Sequence, residues 1–176
     1  MDWSVPGLRR LGFEGFVSFP EVAALVDDGP GVYVIVRTST ANPAFTSVTV
    51  GGSLKGRDSS YPLATVEANW ISGEAVLYIG KADVRKSTRN GLAKRLDEYR
   101  RFGLGEKVLH GGGRLVWQLA DNQTLLVAWR GTPSDNRAER VKDLLLLDFM
   151  EDHGGRMPFA NMRLPSRATR AMRGLL

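Results

Sequence analysis

The stretch Val32-Tyr33-Val34-Ile35-Val36 combines β-branched residues with an aromatic one, and it follows the chain-breaking sequence Asp28-Gly29-Pro30-Gly31. Residues of these types fit the pleated backbone, and a short apolar run bounded by turn residues is typical of a buried strand. The stretch Ala75-Val76-Leu77-Tyr78-Ile79-Gly80 has the same character. The two stretches predict the core strands of a sheet.

Helices are predicted on both sides of these strands, over residues 19–26, about 87–101 and about 134–152. In the second helix, Leu92, Leu96 and Tyr99 recur at spacings of four and three, which is the period of one helix face. In the third helix, Ser134 or Asp135 is the candidate N-cap.

Two further β-type stretches, residues 115–119 and 125–129, flank Asp121-Asn122-Gln123 and predict a hairpin. Residues 38–62 are rich in Ser, Thr, Gly and Pro, which predicts an inserted excursion with one short strand at residues 47–50. A hairpin makes at least part of the sheet antiparallel. The mixture of strands and helices predicts an α+β fold.

The chain of 176 residues fits one domain, and its apolar fraction of 43% is ordinary for a globular protein. No apolar run approaches the roughly 18 residues that cross a bilayer. The start, Met1-Asp2-Trp3-Ser4-Val5-Pro6, has an acid where a signal peptide has basic residues, and no apolar segment follows it. A cytoplasmic protein without a membrane partner is expected.

The sequence has no cysteine and two histidines, His110 and His153. This excludes disulfides, thiolate zinc sites, thiol nucleophiles and metal cages of several histidines. Any metal is therefore expected on oxygen ligands, which favours Mg²⁺ or Mn²⁺.

Basic residues are concentrated in two parts of the chain, whose net charge is +5 and whose pI is near 9.8. The first cluster consists of Lys81, Arg85, Lys86, Arg89, Lys94, Arg95, Arg100 and Arg101. The second consists of Arg156, Arg163, Arg167, Arg170 and Arg173. Such clusters favour a polyanionic partner because neutralised phosphates release counterions, although a solvated basic surface has the same composition.

Short motifs stand at the ends of the predicted core strands. Gly31-Val32-Tyr33 opens the first strand, Tyr78-Ile79-Gly80 closes the second, and Lys81 follows directly. Arg95 stands in the next predicted helix, and Pro158-Phe159-Ala160-Asn161 follows the last one. This order of motifs resembles the GIY-YIG nuclease family, which includes the nuclease domain of the bacterial excision-repair protein UvrC.

The resemblance covers residues 30–163 and implies a small, largely antiparallel central sheet flanked by helices. Residues 1–29 would be an N-terminal extension with a short helix, and residues 164–176 a basic C-terminal tail. An insertion over about residues 38–74 lengthens the connection between the first two core strands. The implied function is a metal-dependent endonuclease that hydrolyses DNA phosphodiester bonds.

The family's site residues correspond to Tyr33, Tyr78, Lys81, Arg95 and Asn161. Tyr33 would activate the water, since a nearby cation such as Lys81 favours the phenolate of a group whose pKa is about 10. Tyr78 would orient the water or a phosphate oxygen. Arg95 would donate hydrogen bonds from its planar guanidinium to phosphate, and Asn161 would order the site by hydrogen bonding. The residues expected to contact nucleic acid are Lys81, Arg85, Lys86, Arg89, Lys94 and Arg95.

One part of the family's pattern is not met, namely the metal-binding glutamate on the last helix. Glu139 and Glu151 lack the apolar residues that the pattern requires three and four positions later. Asp143 does have them and is the expected ligand of Mg²⁺ or Mn²⁺. Asp148 is the second candidate.

Other interpretations stay open. Loss of the metal carboxylate would leave a DNA-binding or interaction module of the same fold, or a protein whose activity appears only in a complex. Tyr33 and Tyr78 would then be packing residues of the core. His110-Gly111-Gly112-Gly113 is similar to an esterase oxyanion loop, but the Gly-x-Ser-x-Gly elbow that such an enzyme needs is missing.

Overall fold

The computed structural model describes residues 1–53, 56–84, 91–108, 110–133 and 135–174. Its helices are α1 (Val5–Arg10), α2 (Phe19–Leu25), α3 (Leu63–Asn69), α4 (Leu92–Gly103), α5 (Asp135–Asp152) and α6 (Arg167–Met172). Its strands are β1 (Glu14–Ser18), β2 (Gly31–Val36), β3 (Val76–Ala82) and β4 (Leu126–Gly131). Two short 3-10 helices, Arg114–Gln118 and Asn122–Thr124, precede β4. The chain is α+β, which confirms the predicted fold class.

The four strands form one antiparallel sheet in the order β1-β4-β2-β3. β2 lies in the interior of this sheet, and all six of its residues are buried. A strand that is covered on both faces requires such an apolar run without polar alternation. The prediction of two core strands, now β2 and β3, is confirmed.

Apolar side chains cover both faces of the sheet, because successive residues of a strand point in opposite directions. Tyr33 and Ile35 join a cluster with residues of α2 and α4. Val32 and Val34 join a second cluster with residues of α1 and α5. The face that carries Tyr33 is therefore also the face covered by α4, the helix on which Arg95 stands.

The predicted hairpin is wrong in its first half. The segment Arg114–Gln118 forms a 3-10 helix instead of a strand, and β4 pairs with β1 and β2. Trp117 explains the difference, because its ring packs so closely on α4 that a Cβ on Gly103 would lie 2.3 Å from it. Tertiary packing of this ring outweighs the β propensity of the segment.

The short strand predicted at residues 47–50 is also wrong, since this segment has no regular structure. The insertion instead contains α3. The buried side chain of Gln118 donates to the carbonyl oxygens of Thr46 and Tyr61 at 3.0 Å each and accepts from the N–H of Tyr61 at 2.7 Å. A side chain thus satisfies backbone groups that a strand ladder would otherwise pair.

The two ends of the chain both contain regular structure. α2 confirms the short helix predicted near the N-terminus, and β1 before it forms an edge of the sheet by pairing with β4. The C-terminal tail contains α6, which packs against α5. The helix predicted over about 87–101 is present as α4 from Leu92 onward, and residues 85–90 lie outside the described ones. In the described ranges, no helix combines the length and apolar character of a membrane span.

Candidate active site

A groove of about 1000 Å³ opens beside β3, between α4, α5 and the segment around Asn161. Most charged side chains in its lining are basic, namely Lys81, Lys94, Arg95, Arg114, Lys142 and Arg163. The acidic ones are Asp83 and Glu98. The excess of positive charge suits an anionic ligand.

The two motif tyrosines lie side by side on the face of the sheet that α4 covers. Tyr33 and Tyr78 stand on the neighbouring strands β2 and β3, and their ring centroids are 5.9 Å apart. Tyr78 lines the groove, whereas Tyr33 is fully buried behind it. Arg95 of α4 lies close to both hydroxyls, and its Nη1 is 3.4 Å from Oε2 of Glu98. Three predicted site residues thus come together, Tyr78 and Arg95 in the lining of the groove and Tyr33 directly behind it.

Atoms of neighbouring elements lie so close to Gly31 and Gly80 that they explain why glycine stands at both positions. Gly80 is opposite Tyr33 in the sheet, and a Cβ on Gly80 would lie 2.3 Å from Cζ of the tyrosine ring. A Cβ on Gly31 would lie 2.5 Å from the carbonyl oxygen of Arg130 and 2.6 Å from Cδ1 of Leu92. Strands β2, β3 and β4 and helix α4 can therefore pack in this way only with glycine at both positions.

Burial raises the pKa of both tyrosines. For Tyr33, the nearby guanidinium of Arg95 and the hydroxyl of Tyr78 offset part of the rise in pKa. The hydroxyl of Tyr33 makes no hydrogen bond of good geometry with a described residue. For Tyr78, burial and then the charge of an ionised Tyr33 raise the pKa well above the ordinary value of 10.0. The cation beside the two hydroxyls is Arg95, rather than the Lys81 expected from the sequence.

Lys81 lies at the edge of the groove between two carboxylates. Its Nζ is 2.6 Å from Oδ2 of Asp83 and also contacts the carboxylate of Glu139 on α5. Partial burial lowers the pKa of Lys81, but its hydrogen bonds to Asp83 and Glu139 outweigh this effect and raise the pKa overall. Lys81 therefore stays protonated, and its positive charge is already paired with the carboxylates of Asp83 and Glu139.

Asn161 fastens the segment after α5 to β3, which is an edge strand. Its Oδ1 accepts a hydrogen bond from the N–H of Ile79, and its Nδ2 donates one to the carbonyl of Ile79, both at 2.9 Å. The N–H of Ala160 adds a bond to the carbonyl of Leu77 at 2.8 Å. These bonds satisfy part of a sheet edge and hold the wall of the groove in place. The resemblance implies this kind of ordering by hydrogen bonds.

Asp143, the expected metal ligand, does not line the groove and is covered by the C-terminal segment. Its Oδ2 accepts hydrogen bonds from the N–H of Ser166 at 3.0 Å and from the hydroxyl of Thr169 at 3.2 Å. Nζ of Lys142 lies 3.0 Å from its Oδ1, and the side chain is 1% exposed. Asp143 thus holds α6 against α5, and its carboxylate is already engaged by two hydrogen bonds and by the charge of Lys142, where a Mg²⁺ ion would need oxygens open to the groove.

A divalent metal does not fit the described residues at the position expected from the sequence. No three carboxylate or histidine side chains come together in the described part of the chain. Asp148, the second candidate, pairs with Arg173 at 2.6 Å. Glu139 is paired with Lys81. We therefore assign no catalytic step to a metal ion.

The residues expected to contact nucleic acid are only partly described. Those that line the groove are Lys81, Lys94 and Arg95. Those outside the described residues are Arg85, Lys86 and Arg89. Arg114 and Lys142 also line the groove, and the sequence did not single them out because they are distant from the first basic cluster along the chain.

Sequence reasoning missed a third tyrosine at the site. Tyr99 is fully buried, its ring centroid is 5.9 Å from that of Tyr78, and its hydroxyl donates to the carbonyl of Gly113 at 2.5 Å. The ring of His110 stacks on Tyr99 with a centroid distance of 4.1 Å. Tyr99 follows Arg95 by four residues on α4, so the shared helix face is the signal that could have identified it.

Lowering the pH is expected to destabilise the protein through His110. Burial, reinforced by the positive charge of Arg95, holds the pKa of this imidazole well below its ordinary value of 6.5. Below about pH 6.5 the unfolded chain therefore binds a proton that the folded protein does not, and this proton favours the unfolded chain. The contribution of neutral His110 to the free energy of unfolding is complete above that pH and is lost as the pH falls. We expect a loss of about 1 kcal/mol at about pH 5.5, measured by urea unfolding.

His110→Phe is the matching variant, because it keeps a ring on Tyr99 and removes the titrating group. Both ring nitrogens of His110 lack a hydrogen bond of good geometry among the described residues. The substitution should therefore leave stability unchanged or higher at about pH 7.5, and it should remove this part of the pH dependence. An equal fall in stability with pH in both proteins would contradict the role of His110.

Most of the predicted site residues meet in the structure. Those at the groove or directly behind it are Tyr33, Tyr78, Lys81, Arg95 and Asn161. Comparison with known proteins gives no match to the chain among protein families, curated proteins or solved structures. The resemblance to the GIY-YIG nucleases therefore rests on the order of the motifs in the sequence.

Proposed function

We propose that this chain is an endonuclease that binds DNA along the basic groove and hydrolyses a phosphodiester bond with the tyrosines and the arginine that the resemblance to the GIY-YIG nucleases implies. One observation carries the proposal. Tyr78 and Arg95 line a groove whose charged residues are mainly basic, and Tyr33 lies directly behind them. Hydrolysis of a phosphodiester needs an acceptor for the proton of the attacking water and stabilisation of charge at phosphorus. This group of side chains offers both.

The chemistry is divided among these three side chains. Arg95 donates to the phosphate oxygens and offsets the charge that develops around phosphorus. The water oxygen forms its bond to phosphorus while its proton passes to a tyrosine oxygen, and the 3′-oxygen leaves with its electron pair and is protonated from solvent. Tyr78 is the tyrosine at the groove, with Tyr33 behind it. Because burial raises the pKa of both phenols, Arg95 must stay beside them to favour a phenolate.

Supercoiled plasmid provides the direct test. The protein is incubated with plasmid in Mg²⁺, in Mn²⁺ and in excess chelator, and nicked and linear products are separated on a gel. Tyr78→Phe keeps the ring and removes the hydroxyl, which controls for a contaminating nuclease. Products that form with the wild type and not with the variant support the proposal. No product under any of these conditions would overturn it, and cleavage of RNA alone would correct the substrate class.

A DNA-binding module without cleavage is the second candidate. The observation that favours it is the state of Asp143, whose carboxylate is engaged by Ser166, Thr169 and Lys142 instead of being open to a metal. Binding of labelled DNA without cleavage under every metal condition would identify this function.

DNA affinity is expected to fall steeply with salt. If about six phosphates are neutralised in the groove, the slope of log K against log salt is about −5. Fluorescence anisotropy of a labelled duplex between about 50 and 200 mM salt measures this slope. A slope near zero, or no binding at low salt, would contradict every nucleic-acid function proposed for the groove.

Two arginine variants test whether the groove is the binding surface. Arg163→Ala removes an exposed cation of the groove and should make the slope less steep by about one. Arg10→Ala removes an exposed cation that pairs with Asp2 away from the groove, and it should leave the slope unchanged. Equal effects of the two variants would place the binding surface elsewhere.

A further inference from the structure

The loop of residues 110–113, hereafter the glycine loop, contributes its three glycines to a wall of the groove. We propose that the glycine loop and Arg95 together form the subsite that holds the scissile phosphate, and that Gly112 is a positioning residue. The absence of a side chain there lets the Tyr78 hydroxyl take the position from which it would meet that phosphate. The proposal rests on the proposed function and locates the substrate phosphate within the same groove.

Gly112 lies very close to the groups that would act on the phosphate. A Cβ on Gly112 would be 2.3 Å from the hydroxyl oxygen of Tyr78 and 4.0 Å from Nη2 of Arg95. The hydroxyl thus packs directly against this glycine with the guanidinium close by, so that a phosphate oxygen in the groove could receive hydrogen bonds from both. Any side chain at residue 112 would displace the Tyr78 hydroxyl from this position.

Gly111 is not constrained in this way. No heavy atom lies within 4 Å of the position that its Cβ would take. The two neighbouring glycines therefore differ in what a methyl group would do, although both line the groove. This difference provides a matched pair of variants.

The backbone of the glycine loop offers hydrogen-bond donors to the groove. The N–H groups of Gly111 and Gly112 donate to no other residue in the described part of the chain. Backbone N–H groups are common donors to the phosphate oxygens of nucleic acids. Gly112 lies near the guanidinium of Arg95 in the groove, so we expect donors from the backbone and from a side chain to reach one phosphate.

Helix α4 holds the glycine loop in place. The hydroxyl of Tyr99 donates to the carbonyl of Gly113 at 2.5 Å, and the ring of His110 stacks on the ring of Tyr99 with an angle of 6° between their planes. Arg95 stands four residues before Tyr99 on the same helix. One rigid element thus positions both the guanidinium and the loop, which keeps the geometry of a phosphate site fixed.

Gly112→Ala, with Gly111→Ala as the matched control, tests the proposal. We expect Gly112→Ala to lower the rate constant of cleavage at saturating DNA by about 10- to 100-fold, because a displacement of about 1 Å in a catalytic site has an effect of this order. DNA affinity should change less than about threefold, since the basic side chains of the groove remain. Gly111→Ala should cleave like the wild type. Equal losses in the two variants, or wild-type cleavage by folded Gly112→Ala, would overturn the proposal.

Inorganic phosphate gives a readout that does not depend on cleavage. In aromatic NMR spectra, added phosphate should shift the ring signals of Tyr78 in the wild type and in Gly111→Ala, but not in Gly112→Ala. No shift in the wild type, or an equal shift in Gly112→Ala, would overturn the subsite. A wild type that shows the phosphate shift but cuts no plasmid would disprove the proposed function and leave the subsite supported.

Tyr99→Phe is the second variant, for the case in which a melting curve shows that Gly112→Ala does not fold. It keeps the ring under His110 and removes only the hydrogen bond to Gly113. The loosened loop should lower the rate constant of cleavage by about tenfold and weaken the phosphate shift of Tyr78, because one lost hydrogen bond corresponds to a change of about this size. Wild-type values for both measurements would count against the proposal.

Discussion

Arg95→Ala is expected to lower the rate of DNA cleavage by about 10²–10³ while the protein stays folded. The guanidinium lies beside the hydroxyls of Tyr33 and Tyr78, and its charge opposes the rise in their pKa values that burial causes. The substitution removes a donor to the phosphate and also the cation that favours a phenolate. Single-turnover cleavage of plasmid by excess protein measures the rate of the chemical step.

Arg100→Ala on the same helix is the matched control. The side chain of Arg100 is 28% exposed, compared with 29% for Arg95, and each pairs with an acid three residues away. Arg100 does not line the groove, so its loss should leave cleavage unchanged. Equal losses of cleavage rate in the two variants would show that the overall positive charge of α4, and not the position of Arg95, is the cause. Unfolding of Arg95→Ala would give this arginine a structural role.

Asn161→Ala is expected to lower the free energy of unfolding by about 2–6 kcal/mol. The amide of Asn161 pairs with both the N–H and the carbonyl of Ile79, which is fully buried. Each buried backbone group that loses its partner costs about 1–3 kcal/mol. Since domains are stable by about 5–15 kcal/mol, the loss is a large fraction of the total. Urea unfolding followed by circular dichroism measures it.

Two further asparagine variants show whether the pair of hydrogen bonds is the cause. Asn161→Asp has nearly the same shape and can still accept from the N–H of Ile79, but it cannot donate to the carbonyl, so a similar or larger loss is expected. Asn69→Ala removes a single bond to the carbonyl of Thr65 within α3 and should cost about 1 kcal/mol or less. If Asn161→Ala lost cleavage at unchanged stability, Asn161 would act in catalysis rather than in folding.

The core strands can be predicted from the sequence because their signal is local. The run at residues 32–36 indicates a buried strand whatever its neighbours are, and β2 is found there. The apolar stretch Leu115-Val116-Trp117 has similar residue types and nevertheless belongs to a 3-10 helix, because Trp117 packs on Gly103 of α4. That outcome depends on a contact between separate elements, which no local pattern contains.

The candidate site likewise contains residues that a local pattern predicts and residues whose role depends on contacts between separate elements. Tyr33, Tyr78 and Arg95 could be predicted to meet because their order along the chain and their elements determine their positions. The apolar pattern of its helix predicts Asp143 as the metal ligand, and such a pattern does not show that α6 covers the carboxylate. Tyr99 fits the helical period and therefore resembles an ordinary core residue. Its hydrogen bond to the glycine loop is a long-range contact that only the structure reveals.

Strand β1 belongs to the sheet through one neighbour, β4, and this pairing sets the order of events during protein synthesis. β1 leaves the ribosome before β4, which begins only at Leu126, more than a hundred residues after β1. At about 5–20 residues per second, the delay amounts to roughly 5–20 seconds. During this time β1 has no partner, and β2 is paired only with β3. The growing chain therefore exposes strand edges that invite aggregation or chaperone binding until β4 closes the sheet.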